Sequence, residues 1–294
     1  MKVTKRKIQP LDLIVLALLV AAALYTADRI RTQLNYHWDW SVIPQYLFRY
    51  NQETGSWTPN LLIQGLITTI RLSLWSTILA AFIGLVMGLC RISQSLFKRM
   101  LGRAYVEAIR NLPPLVLVFL FYYFVSDQIM PLLGLDDFIR SRSSTTQAVL
   151  TYLVAPPSQF TAFISAILTL ALYEGAYITE IVRAGIESVE KGQWEAAHAL
   201  GLSWWQQMRF VVLPQAIQRS IPPMAGQFIS TIKDSAIVSV ISIQELTFQG
   251  LQLMAATYLT FEIWTTIAVL YMILTLTCSV LARRLELYMQ RGLT

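Results

Sequence analysis

The sequence predicts an all-α integral membrane protein of about six transmembrane helices, with both termini in the cytoplasm. Three observations carry that expectation. Of 294 residues, 55% are hydrophobic and 14% are charged, with a mean hydropathy of +0.52. Ordinary soluble domains run at about 25% charged, and so few charges could not cover a soluble surface of this size. Six apolar stretches approach or exceed the length, about 20 residues of helix, that a bilayer requires. Finally, the basic residues gather in alternate connections between those stretches.

The first stretch, Leu11–Thr26, is short and contains Asp12. Lys2, Lys5, Arg6 and Lys7 ahead of it resemble the basic start of a signal peptide, but no small-x-small cleavage site follows. Asp28, Arg29 and Arg31 come next, so it reads as a retained helix. Gln33–Trp57 carries Tyr36, Trp38, Trp40, Tyr46, Tyr50 and Trp57, the pattern of an interfacial aromatic belt. The remaining spans read as Leu61–Cys90, Pro113–Leu133, Phe160–Arg183, Ile221–Ser242 and Tyr258–Ala282. Four basic residues precede the first span and five lie near the 91–110 connection. Four more lie within 183–219 and three follow the last span, sixteen of the 23 in all. The positive-inside rule therefore places both termini and these connections in the cytoplasm.

Only two cysteines (Cys90, Cys278) and two distant histidines (His37, His198) occur. That excludes a disulfide framework and makes a metal site unexpected. The excess of 23 basic over 17 acidic residues fits membrane-flanking loops better than nucleic-acid binding.

One inner connection, Ile186–Val212, is longer than a linker needs to be, since most are under about 12 residues. Glu195 to Leu200 are mostly good helix formers. Gly201 can end that helix with a positive φ. Ser203 can cap the next, with Gln206 completing a capping box. Leu213 and Pro214 are expected to stop the second helix. The result is a rigid helix–turn–helix elbow on the cytoplasmic face.

The elbow residues carry a resemblance. Glu195, Ala196, Ala197, Gly201, Val211, Leu213 and Pro214 form E-A-A-x3-G-x9-hydrophobic-x-L-P, which resembles the signature of the membrane subunits of prokaryotic ABC importers. Leu66–Ser73, Tyr105–Val118, Ala171–Gly201 and Phe228–Gln252 are similar to the polar amino acid permeases within that family, of the histidine/glutamine/arginine and general L-amino acid type. The family usually has Ile at the position of Val211, and Gly-Thr and Leu where this chain has Asn111-Leu112 and Pro114. The resemblance divides the chain into residues 1–59, an extra helix and outer loop, and 60–290, a type I ABC importer transmembrane domain. It implies that Glu195, Ala196, Ala197 and Gly201 form a coupling helix that docks on a separate ATPase subunit. A second permease subunit and an extracytoplasmic amino-acid-binding protein are implied with it. It also places the chain in the bacterial inner membrane.

Ionisable groups at bilayer depth cost about 2.5–3.5 kcal/mol each, so they point to function. Lys233 and Asp234 are adjacent, and adjacent helical residues do not face each other; each needs a separate partner. A zwitterionic amino acid would offer its carboxylate to Lys233 and its ammonium to Asp234. The alternative is a pair of interhelix bridges, Lys233 with Glu174 and Asp234 with Arg71. The matched segment beginning Lys233-Asp234-Ser235 implies substrate contact by those three, and Glu174 and Tyr177 are candidates on a neighbouring span. Glu180 and Arg183 are expected to pair locally. No G-x-x-x-x-G-K-[ST] motif occurs, so ATP and Mg2+ belong on the partner ATPase, and the chain is expected to bind no cofactor and to catalyse nothing itself. A secondary transporter driven through Asp234 or Glu174 is the competing class; it usually shows inverted repeats, which this sequence lacks.

Overall fold

The computed structural model of the protein describes residues 10–33, 36, 38–53 and 55–291. Lys2, Lys5, Arg6, Lys7 and His37 lie outside the described residues. The chain forms two compact units, divided after Trp40. The first holds α1 (Pro10–Gln33), longer than its apolar core, in which Arg29 Nε donates to the Tyr25 hydroxyl at 3.0 Å. Trp38 stacks on Trp40 with ring centroids 6.1 Å apart.

The second unit opens with α2 (Ile43–Leu47) and a two-stranded hairpin, β1 (Phe48–Asn51) paired antiparallel with β2 (Ser56–Pro59). Gly55 at φ +62° turns it. It then follows as α3 (Leu61–Ile92), α4 (Leu96–Arg110), α5 (Pro114–Phe124), α6 (Met130–Leu133), α7 (Leu135–Arg140), α8 (Ser144–Leu153) and α9 (Phe160–Glu187). After these come α10 (Lys191–Ala199), α11 (Trp204–Gln207), α12 (Leu213–Asp234), α13 (Leu246–Thr257) and α14 (Thr260–Arg291).

Among the described residues, α3, α9 and α14 are each long and apolar enough to cross a membrane. The pair α4–α5, bent by 114°, makes a fourth candidate. The expected span at 113–133 is thus not one helix: a π-helical turn at Val125–Ile129 joins α5 to α6. Asn111 and two prolines, Pro113 and Pro114, explain the bend ahead of α5, since the residue before a proline avoids helical geometry. The expected span Ile221–Ser242 is corrected as well. Its helix begins eight residues earlier and keeps Pro222 and Pro223 in its interior. It gives way to a 3-10 helix at Ser235–Ile241 that ends on Ser242 at φ +63°.

Helices α3 and α9 form the centre and run parallel. Ser76 Oγ reaches the Ile167 carbonyl at 3.5 Å, and further along Gly84 lies against Ile178 and Gly88 against Val182. Glycines allow this approach: a Cβ on Gly84 would stand 2.7 Å from Ile178 Cβ. In contrast, α12 runs antiparallel to α9, since Gly185 meets Ala216 and Ser220 whereas Glu174 meets Gln227. The main core gathers Leu72, Leu117, Phe163, Leu170, Val238 and Ile241. A second cluster joins Leu62 to Leu246, Leu253, Ile263 and Ile267 at the start of α3.

Candidate translocation site and coupling elbow

The elbow is built from local sequence. At the foot of α9, Arg183 Nη2 holds Glu180 Oε2 at 3.0 Å, the expected local pair, and also pairs with Glu187. Arg91 from α3 closes on the other oxygen of Glu180. Then α10 runs to Ala199 and stops at Gly201, whose φ of +73° favours glycine. The Gly201 N–H donates to the His198 carbonyl at 2.9 Å and the Leu202 N–H to Ala197 at 3.2 Å. Ser203 caps α11, its N–H donating to Gln206 Oε1 at 2.8 Å as the capping box requires.

Leu213 and Pro214 do not stop the following helix, contrary to the sequence expectation. A π-helical turn at Met208–Val212 runs straight into α12, which has Pro214 in its first turn. Proline lacks an N–H, and the widened turn before it absorbs the missing bond, so the helix continues. Met208, Val212 and Ala216 pack with Ile186 and Val189 beneath the elbow, flanked by Trp194 and Trp204. Ala197 is buried. Glu195, Ala196 and Gly201 face outward, as do Leu200 and Trp205, 79% and 72% exposed. The elbow is therefore rigid underneath and carries a mixed apolar and acidic outer face.

The second site lies between α9 and α12. Glu174 is fully buried, and its Oε2 accepts a hydrogen bond of 2.6 Å from Gln227 Nε2. Its other oxygen, Oε1, has no hydrogen-bond partner. Asp234 and Thr231 of α12 approach the same carboxyl group. Beside them the Tyr173 and Tyr177 hydroxyls are 3.3 Å apart, and the Arg110 guanidinium lies 5.5 Å from the centre of the Tyr177 ring. Two carboxyls thus face each other with no Lys or Arg within ion-pair distance of either, among the described residues. Such a pair repels unless it shares a proton or receives a cationic group.

The structure brings Glu174, Tyr177 and Asp234 together and sets Lys233 and Ser235 apart. Lys233 is exposed in the last turn of α12, where a cation suits the helix dipole. The Ser235 hydroxyl donates to the Ile232 carbonyl at 2.8 Å and is buried at the start of the 3-10 helix. Neither suggested bridge forms: Arg71 Nη1 donates instead to the Thr151 carbonyl at 3.1 Å. Sequence reasoning missed Gln227 and Thr231, although their spacing from Asp234, seven and three residues earlier, puts all three on one helical face. Tyr173 was missed because a tyrosine in an apolar helix is usually packing.

Residues 80–293 match the model of the family described as binding-protein-dependent transport system inner membrane component. The chain is 34% identical over 226 residues to the glutamine transport system permease protein GlnP of Escherichia coli K12, covering 77% of this chain and 91% of that one. It is 32% identical to the probable amino-acid ABC transporter permease protein YckA of Bacillus subtilis, covering 69% and 77%. A crystal structure of an amino acid ABC transporter with histidines superposes with a TM-score of 0.64 at 31% identity, covering 85% of this chain and 99% of that one. The MetNI methionine ABC transporter in an inward-facing form shares the fold at 21% identity, with a TM-score of 0.60. With the elbow in place on a multi-pass helical frame, the chain belongs to the binding-protein-dependent inner membrane components, a family of ABC permease subunits that carry transport and not catalysis.

Proposed function

We propose that the chain is the translocating subunit of an ATP-driven importer of polar amino acids, which it accepts from an extracytoplasmic binding protein. Its relatives support the substrate class, being named for glutamine and amino acids. The observation that carries the reading is the carboxyl pair Glu174–Asp234, with one oxygen of the buried Glu174 left without a hydrogen-bond partner. A substrate ammonium between the two acids relieves their repulsion and satisfies that oxygen. Tyr177 lies beside the pair, whereas Lys233, exposed one residue before Asp234, and Ser235, bonded to the Ile232 carbonyl, stand outside it.

The elbow faces the cytoplasm and docks on an ATPase subunit through its exposed Glu195, Ala196 and Gly201, with Ala197 buried beneath them. ATP and Mg2+ are held by that partner alone. Two permease subunits stand together, each with one elbow, and nucleotide binding favours one arrangement of the pair by differential contact at the elbows. Alternating access then exposes the Glu174–Asp234 site to each side in turn.

Affinity purification from the native membrane tests the docking. Gly201 combines a positive φ with open space for a Cβ, so the backbone alone resists replacement. Gly201→Asn, tolerant of that conformation, is expected to recover an ATPase as the parent does, whereas Gly201→Val, β-branched, loses most of it. Equal recovery from all three, or none from the parent under gentle extraction, would contradict coupling through this turn. Stimulation of the recovered ATPase by individual amino acids then identifies the substrate.

A further inference from the structure

We infer a second amino acid site, at the end of the bundle remote from the elbow, through which a zwitterion passes before reaching Glu174 and Asp234. It rests on the amino acid reading above. A cavity of about 300 Å3 opens there, among Gln64, Thr68, Arg71, Gln159, Gln244 and Gln249. This volume sits at the lower end of ligand pockets, about 300–1,000 Å3. Gln159 precedes α9 and Glu174 lies fifteen residues beyond it, about 22 Å along the helix at 1.5 Å per residue. The two sites are therefore separate.

Two features give the cavity its chemistry. Gln249 is 4% exposed, and its Oε1 has no hydrogen-bond partner although the residue lines the cavity. A buried acceptor left so is destabilising, which a donor from a ligand would offset. Arg71 supplies the charge. One of its five N–H groups donates to the Thr151 carbonyl, and the guanidinium leans over the Tyr152 ring at 5.7 Å. Its remaining N–H groups make no other hydrogen bond among the described residues. The lining holds one cation, several amides and no carboxylate.

A guanidinium with free N–H groups takes a carboxylate well, and an amide oxygen accepts from an ammonium. An α-amino acid carries both groups on one carbon. The lining therefore selects an anionic group with a donor beside it, the converse of the acidic deeper site. Passage from one to the other exchanges recognition led by the carboxylate for recognition led by the ammonium, which gives each site a reason to release what it holds.

The test uses the assembled permease–ATPase complex in nanodiscs, without nucleotide or binding protein, titrated calorimetrically with L-glutamine and then with the other protein amino acids. Two sites per permease chain are expected. Gln249→Leu and Arg71→Gln should each weaken one of them tenfold or more, and Asp234→Asn only the other. Trp75→Phe controls for fold, because Trp75 Nε1 also ties α8 down, through the Leu153 carbonyl at 3.0 Å, but does not line the cavity. It should leave both sites intact. A single site sensitive to Asp234→Asn and indifferent to Gln249→Leu overturns the second site and leaves the transport reading standing. Loss in Trp75→Phe equal to that in Arg71→Gln overturns it too, since the effect would then follow α8. If no amino acid binds the parent, the substrate reading falls and this site falls with it.

Discussion

Glu245 shows what a single buried residue does here that the sequence did not disclose. It is fully buried at the start of α13, and its carboxylate accepts from the Thr247 N–H at 2.8 Å, the Phe248 N–H at 2.7 Å and the Tyr271 hydroxyl at 2.9 Å. The Thr69 hydroxyl of α3 approaches the same oxygen at 3.5 Å and accepts from the Leu246 N–H at 3.2 Å. One side chain thus caps α13 and ties it to α3 and α14. Glutamate is not among the favoured N-cap residues, and its partners stand 26 and 176 positions away in sequence, so no local pattern announces the knot. Gly201 is the opposite case: its neighbours in sequence are its partners in space, and its role was legible. Glu245→Ala leaves two N–H donors and a hydroxyl without their acceptor and should cost about 2–4 kcal/mol. Thermal unfolding of the purified protein in detergent reads this as a lower midpoint, with Glu245→Gln falling between it and the parent. An unchanged midpoint for the alanine variant would show that the knot contributes nothing.

At the scale of elements, helix contacts rest on glycines of two kinds. A Cβ at Gly84 would meet Ile178 at its Cγ2, at its Cβ at 2.7 Å and at its backbone carbon at 3.0 Å. The Cβ and the backbone carbon do not move without shifting α9 itself. At Gly185 the main obstacle is the Ser220 hydroxyl, with the Ala216 carbonyl next at 3.1 Å. Gly84→Ala should therefore destabilise by about 1–3 kcal/mol and should not be rescued by Ile178→Ala, which leaves the Cβ and the backbone in place. Gly185→Ala, in contrast, should recover most of its loss when combined with Ser220→Ala. A double-mutant comparison of unfolding midpoints separates the two; equal rescue at both sites would refute the distinction. Small residues at membrane helix contacts are readable as a class, but which obstacle is rigid depends on the facing helix. The same division governs element boundaries. Capping fixed the elbow from sequence, whereas the early start of α12 depends on a π-turn ahead of Pro214 that no hydropathy pattern marks.

At the scale of the whole molecule, the direction of the helices decides where each connection lies. With α3 and α9 parallel, the chain between them must return along the bundle, and α5 with α6 is the apolar stretch available to do so. Their break explains why the return is not a single helix by length, although its hydropathy was plain in the sequence. Because α12 runs back along α9, the elbow between them lies at the end opposite the hairpin that precedes α3. The outward faces of α14, including Met272, Leu276 and Leu281 at 53–59% exposed, suit lipid or a second permease. On the basic-residue expectation, the elbow's end is the cytoplasmic one. Two single cysteines, placed after Cys90 and Cys278 are replaced by serine, test it. Gln52→Cys sits in the exposed hairpin turn, and Gly192→Cys on α10 has open space around its side chain. A membrane-impermeant maleimide should label Gln52→Cys in right-side-out vesicles and Gly192→Cys only in inverted ones. If both react from the same side, α3 and α9 cannot both cross in the same direction, and the cytoplasmic elbow, with the ATPase docking that depends on it, is refuted together with that arrangement.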